Sequence, residues 1–158
     1  MTILKPGNKA PDFKLHSTPD QFLSLKDFKG KNVILAFYPA DWSPVCSDEM
    51  AVFNELLEEF KKRNAQLIGI SVDGPWCHAS FGKKSNFHFP LLSDVEPKGE
   101  IAKKYGVYNS KLGVCDRALF VIDKDGAIVW SYLSPMGENP GADGILDALD
   151  SLEMKKAA

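Results

Sequence analysis

Residues 32–38, Asn-Val-Ile-Leu-Ala-Phe-Tyr, make an apolar run that Pro39 halts, which predicts a central strand buried on both faces. The period then changes. From Cys46 onward Met50, Phe53, Leu57 and Phe60 recur at spacings of four, three, four and three, one face of an amphipathic helix. Asp48 and Glu49 open that helix while Lys61, Lys62 and Arg63 close it, as the helix dipole favours. Residues 66–72, Gln-Leu-Ile-Gly-Ile-Ser-Val, repeat the buried-strand pattern, so strand, helix and strand should form a right-handed parallel crossover. Less regular helices are predicted within 75–84 and 97–105, and a last one over 143–152 with Ile145, Leu146, Leu149 and Leu152 inward. Residues 118–122 and 127–132 flank Asp123-Lys124-Asp125-Gly126 and read as an antiparallel hairpin. The pattern predicts an α/β fold whose mixed central sheet is covered by helices.

With 158 residues, 44% of them apolar, and no repeat, low-complexity tract or linker, the chain is expected to be a single domain over 1–158. Its 19 basic and 21 acidic residues are interspersed, which leaves no field to attract nucleic acid or anionic lipid. Apolar runs fall far short of the roughly 20 residues that cross a bilayer. The first residues, Met1-Thr2-Ile3-Leu4-Lys5-Pro6, carry no signal-peptide pattern, so a cytoplasmic location is expected. Three widely spaced cysteines, Cys46, Cys77 and Cys115, argue for reduced thiols rather than a disulfide framework.

Cys46 is predicted just beyond the carboxyl end of a buried strand, in the first turn of the next helix, where open α/β sheets place their sites. Free amides and the positive end of the dipole favour a thiolate there, and the thiolate is the nucleophilic form. Ser43 is a suitable N-cap with Pro44 at the first helical position. Asp48 and Glu49 act against the thiolate, and a further cation would help decide the balance.

These residues resemble a known family. Pro39-Ala40-Asp41-Trp42-Ser43-Pro44-Val45-Cys46 is similar to the peroxiredoxin motif Pro-x-x-x-Thr/Ser-x-x-Cys. Ala10-Pro11-Asp12-Phe13 resembles the family's N-terminal opening, residues 25–31 the segment before its central strand, and residues 117–123 the strand that carries its arginine. Glu49 stands at the expected helix offset from Cys46. The resemblance runs from about residue 7 to 133, and within the peroxiredoxins (AhpC/TSA family) it is strongest to the alkyl hydroperoxide reductase E and bacterioferritin comigratory protein types. It implies a thioredoxin-like fold with an N-terminal peroxiredoxin extension, a homodimer, and a cofactor-free peroxidase that takes hydrogen peroxide and organic hydroperoxides. An external thiol or a thioredoxin- or glutaredoxin-like protein is the implied reductant. It further implies that Cys46 is the peroxidatic cysteine, that Ser43 orients peroxide and thiolate, that Pro39 shields the pocket, and that Arg117 stabilises thiolate and transition state. Attack on an O–O bond needs an anion in line with the scissile oxygens and donors where charge develops, and a guanidinium fork supplies these.

Within the family, many comigratory-type members carry a resolving thiol where Ala51 stands here. Cys77, predicted just past the second parallel strand, can resolve Cys46 if local unwinding brings the Cα atoms within about 7 Å. Cys115 would face the same side as Arg117 if both lie on one strand, but it reads better as an apolar filler. The one-cysteine cycle with an external thiol is the favoured expectation. His78 and His88 match no zinc spacing and read as surface or capping residues, and Asp123-x-Asp125-Gly126 lacks the remaining ligands of a calcium loop, so no metal is expected. Trp42 is expected at the pocket, Trp76 and Trp130 in the core or an interface. Two rivals remain open: a thioredoxin-like disulfide reductase, in which Ser43 would replace the first cysteine of Cys-x-x-Cys, and a non-catalytic interaction domain.

Overall fold

The computed structural model describes residues 2–157. Strands β1 (Lys14–Thr18) and β2 (Gln21–Ser24) lead through a 3-10 turn at Leu25–Phe28 into β3 (Asn32–Phe37). Then follow α1 (Pro44–Glu55), α2 (Leu57–Lys62), β4 (Ala65–Ser71), α3 (Pro75–Ser85), β5 (Leu91–Ser93) and α4 (Glu100–Lys104). Short strands β6 (Tyr108–Asn109) and β7 (Val114–Cys115) precede the hairpin of β8 (Ala118–Ile122) and β9 (Ile128–Leu133), and α5 (Asp143–Ala157) comes last.

Seven strands form one sheet in the order β2-β1-β5-β4-β3-β8-β9. The central strand β3 runs parallel to β4 and antiparallel to β8, with Phe37 opposite Ile70 on one side and Ala118 on the other. The sheet is therefore mixed, as its sequence pattern required. Alternate side chains of β3 enter two separate cores. Val33, Leu35 and Phe37 pack with Ile68, Ile70, Tyr105 and Phe120, whereas Ile34, Ala36 and Tyr38 pack with Cys46, Met50, Phe53, Leu119 and Ile145. Covered faces on both sides explain why this strand is apolar without alternation.

Several boundaries differ from expectation. The helix after Cys46 breaks at Leu56 (φ −100°, ψ 8°), and the bend sets the Phe60 ring edge-on to Phe53 with centroids 6.5 Å apart. Because α1 starts at Pro44, Asp48 and Glu49 fall in its second turn rather than opening it. The helix expected within 97–105 begins only at Glu100, since Gly99 is left-handed (φ 70°) and the Asp94 carboxylate accepts the amides of Ile101 and Ala102. Helix α5 runs past residue 152 to Ala157. Strands β1, β2, β5, β6 and β7 were not anticipated; β2 is mostly exposed and β6 and β7 have two residues each, too short to show a period. Trp76 is 76% exposed on this chain and so lies outside the core. Cys115 does not share a strand with Arg117. It ends β7, the Asp116 amide bonds the Val107 carbonyl, and the Cys115 side chain enters the core on the face of the sheet opposite Cys46.

Candidate active site

Three elements meet at the carboxyl end of β3. Beyond Phe37 the chain passes through Tyr38, Pro39 and Asp41 to Ser43, which caps α1 by accepting the Cys46 amide at 3.5 Å, with Pro44 at the first helical position. Cys46 is thus held, fully buried, in the first turn of α1 among amides that have no intrahelical partner. Because β8 is antiparallel to β3 and pairs Ala118 with Phe37, Arg117 emerges at that same sheet edge.

Arg117 is 1% exposed and its guanidinium is held on two sides. Nε and Nη2 donate to the Met136 carbonyl at 3.1 and 2.8 Å, while Nη1 donates to Cys46 Sγ at 3.4 Å and to Glu49 Oε1 at 2.8 Å. Burial works against its charge, but the bonds to Cys46 and Glu49 outweigh that and hold it cationic. Burial pushes the Glu49 carboxyl up to about 7, with Arg117 pulling in the other direction. One N–H fork therefore serves a sulfur and a buried carboxyl.

The loop ahead of Ser43 is tied to the end of the adjacent strand β4 and to α3. Asp41 Oδ1 accepts the Tyr38 hydroxyl at 2.6 Å, Oδ2 lies 2.7 Å from His78 Nδ1, and the Asp41 amide donates to Asp73 Oδ2 at 2.8 Å. His78 Nε2 lies 3.0 Å from the Leu92 carbonyl. His78 is consequently a buried anchor and not the surface or capping residue expected from sequence, because α3 packs its inner face against β5. Gly69 makes room for this arrangement: a Cβ there would stand 2.8 Å from Leu91 Cδ2 and 3.3 Å from Tyr38 Cε1. Trp42, half exposed between Asp41 and Ser43, is left-handed (φ 71°), a conformation costing a bulky residue about 1–3 kcal/mol that the anchored neighbours must offset.

Cys77 lies beside this anchor, in the first turn of α3. Burial first, then Asp41 and Asp73, push its thiol up to about 11. Asp41, Asp73 and Cys77 bring three ligand-type atoms within 4.8 Å of one another, but Tyr38 and His78 already occupy both oxygens of Asp41, and Ser71 and the Asp41 amide share one of Asp73.

Of the residues singled out from sequence, Cys46, Ser43 and Arg117 come together, with Pro39 half-buried on the loop between them. Cys77 stands apart against Asp41. Sequence reasoning missed the Asp41, His78 and Tyr38 anchor and the inward turn of Glu49. Glu49 carried a readable signal, being three residues from Cys46 and hence on its face of the helix. The His78 contact, 37 residues from Asp41, carried none.

A cysteine buried at a helix start, with a serine cap and an arginine donating to its sulfur, can act as a nucleophile on this mixed α/β sheet. The family model described as the AhpC/TSA family matches residues 6–131. Alkyl hydroperoxide reductase E of Mycobacterium bovis is 36% identical over 137 residues, covering 86% of this chain and 90% of the relative. Chloroplastic peroxiredoxin Q of Populus jackii is 38% identical over 147 residues, covering 92% and 68%. Among solved structures, peroxidoxin BcpB from Mycobacterium tuberculosis superposes with a TM-score of 0.85 at 32% identity, covering 94% of this chain and 98% of that one. The reduced 2-Cys peroxiredoxin of Plasmodium vivax gives 0.88 at 31% identity, covering 98% and 84%. The chain belongs to the AhpC/TSA family, the peroxiredoxins. It is a thiol-dependent peroxidase, and the disulfide reductase and the non-catalytic domain are not favoured.

Proposed function

We propose that the Cys46 thiolate attacks hydrogen peroxide or an organic hydroperoxide, forms an S–O bond as the O–O bond breaks, and becomes sulfenic acid while water or an alcohol departs. The observation that carries this reading is the 3.4 Å bond from Arg117 Nη1 to Cys46 Sγ at the first turn of α1. Arg117 stabilises the thiolate and the charge that develops on the departing oxygen, Ser43 orients peroxide and sulfur, and Pro39 shields the pocket. An external small thiol, or a thioredoxin- or glutaredoxin-like protein, then reduces the sulfenic acid in a one-cysteine cycle. What supports this over resolution by Cys77 is that Asp41, Asp73 and burial keep the Cys77 thiol protonated near neutral pH. No cofactor enters the cycle. The chain acts as one domain within a homodimer, in the cytoplasm, as part of cell redox homeostasis; no helix among the described residues is long and apolar enough to cross a membrane.

Peroxide consumption with a generic thiol tests the assignment. Cys46→Ser abolishes it, whereas Cys77→Ser and Cys115→Ser leave the first oxidation intact. After one equivalent of peroxide the intact mass rises by about 16 Da for sulfenic acid; a fall of about 2 Da would instead report an internal disulfide. Activity retained by Cys46→Ser overturns the assignment, and quantitative Cys46–Cys77 disulfide overturns the one-cysteine cycle alone.

A further inference from the structure

Two acidic groups face one buried cation at this site. Cys46 and Glu49 are three residues apart on α1, both 0% exposed, and both accept from Nη1 of Arg117, at 3.4 and 2.8 Å. Nε and one Nη2 hydrogen of Arg117 go to the Met136 carbonyl instead. Glu49 Oε2 is buried with no hydrogen-bond partner among the described residues. An ionised carboxylate with one unpaired oxygen in a buried site is costly, and a thiolate with a carboxylate against a single guanidinium leaves a net buried negative charge. A proton on the carboxyl removes both costs. Arg117, reaching in from the edge of β8, is the charged group bearing on Glu49, while Asp48 on α1 is exposed and Asp41 and Asp73 are engaged at the loop anchor.

We propose that Glu49 shares a proton with Cys46, the pair carrying one proton and one negative charge against Arg117, and that Glu49 returns this proton to the departing oxygen after the thiolate attacks. This rests on Cys46 being the nucleophile. The step balances: the S–H bond breaks as the carboxylate takes the proton, the S–O bond forms as the O–O bond breaks, and the released hydroxide or alkoxide takes the proton from Glu49, directly or through one water. Sulfenic acid and water or alcohol result. Glu49 ends as a carboxylate paired with Arg117, because the oxidised sulfur no longer carries charge. The elevation of its carboxyl to about 7 agrees with a group able both to hold and to release a proton in neutral solution.

Strongly coupled groups lose their protons in two macroscopic steps belonging to the pair. In the native enzyme the ultraviolet signal of the thiolate should rise over a broad two-step interval; in Glu49→Gln it should rise in one step, complete at lower pH, since no second negative charge opposes it. The native rate of Cys46 oxidation should follow a bell-shaped pH profile whose alkaline limb reports loss of the Glu49 proton. Glu49→Gln should lack that limb and run about tenfold slower or more at its plateau. A residue that merely props Arg117 would lower the rate without removing the limb, and a limb unchanged in the variant overturns the proposal. Should Glu49→Gln fail to fold, infrared difference spectra of the native enzyme decide. A neutral-carboxyl stretch should be present in the reduced form and vanish with one equivalent of peroxide; no band, or a band indifferent to oxidation, overturns the proposal. Failure of the nucleophile assignment is distinguishable, since Cys46→Ser would then still consume peroxide.

Discussion

Arg117→Met removes the guanidinium while keeping the bulk of the side chain, so it isolates the charge from the packing. At 3.4 Å, a unit charge pair in a medium of effective dielectric constant ~20 interacts by about 5 kcal/mol, an upper bound because some water would enter to replace the cation. Loss of a single preorganised donor at a developing anion costs about 3–4 kcal/mol in comparable sites. The second figure corresponds to a fall of about 10²- to 10³-fold in the rate of Cys46 oxidation, and the first caps the effect at several thousand-fold. The Met136 carbonyl loses two donors at the same time, and Glu49, deprived of its cation, stays protonated to higher pH. Arg117→Lys should fall between, because one ammonium retains charge but cannot engage Met136, Glu49 and Cys46 together. Rapid-mixing kinetics of peroxide reduction, with thiolate measured separately by alkylation, provide the assay. A Met variant within about threefold of native at equal thiolate would refute the reasoning and remove Arg117 from the chemistry.

Asp41→Asn removes the carboxylate that, after burial, raises the Cys77 thiol most. In a chain carrying Cys46→Ser, the pH at which Cys77 alkylates should move down from about 11, and an unmoved profile would show that burial alone sets it. Glu49 also makes stability depend on pH. Its carboxyl rises from an ordinary 4.5 to about 7 on folding, so the folded state holds more protons between those values, and the stability it contributes is complete below about 4.5 and lost as pH rises through about 7. The shift corresponds to about 3 kcal/mol at most. Denaturant unfolding at about pH 5 and pH 8 should show Glu49→Gln losing less stability than native between the two, and parallel losses would contradict the assignment.

The sequence carried the central strand, the parallel crossover and the terminal hairpin because both faces of β3, β4 and β8 are covered, which leaves uninterrupted apolar runs. It carried the Cys46 turn because Ser43 and Pro44 are local signals, acting over three residues. What it did not carry is long-range or marginal. Strand β2 buries little and so lacks a clean period, and the break at Leu56 arises where packing of Phe60 against Phe53 prevails over the helical repeat. His78 shows the limit best. Nothing local distinguishes a histidine on a mildly amphipathic helix from one whose two ring nitrogens meet Asp41 and the Leu92 carbonyl, because the contact exists only once α3 packs on the sheet.

Cys46 and Cys77 occupy the same local position, the third residue of a proline-started helix that follows one of two neighbouring parallel strands. The dipole acts alike on both, so the helix end cannot account for their difference; their neighbours do. Arg117 faces Cys46, while Asp41 and Asp73 face Cys77. To attack an oxidised Cys46, Cys77 must ionise, and it ionises more readily once it is freed from burial and from Asp41. Asp41 is held by Tyr38, His78 and Asp73, so its departure requires the loop that carries Pro39 and Ser43 to come away as well. Resolution from Cys77 would thus wait on breaking three hydrogen bonds, whereas an external thiol brings its own sulfur and does not depend on Asp41. Competition between a slow internal step and a second-order external one makes the outcome depend on thiol concentration, so any Cys46–Cys77 disulfide should decline as external thiol is raised.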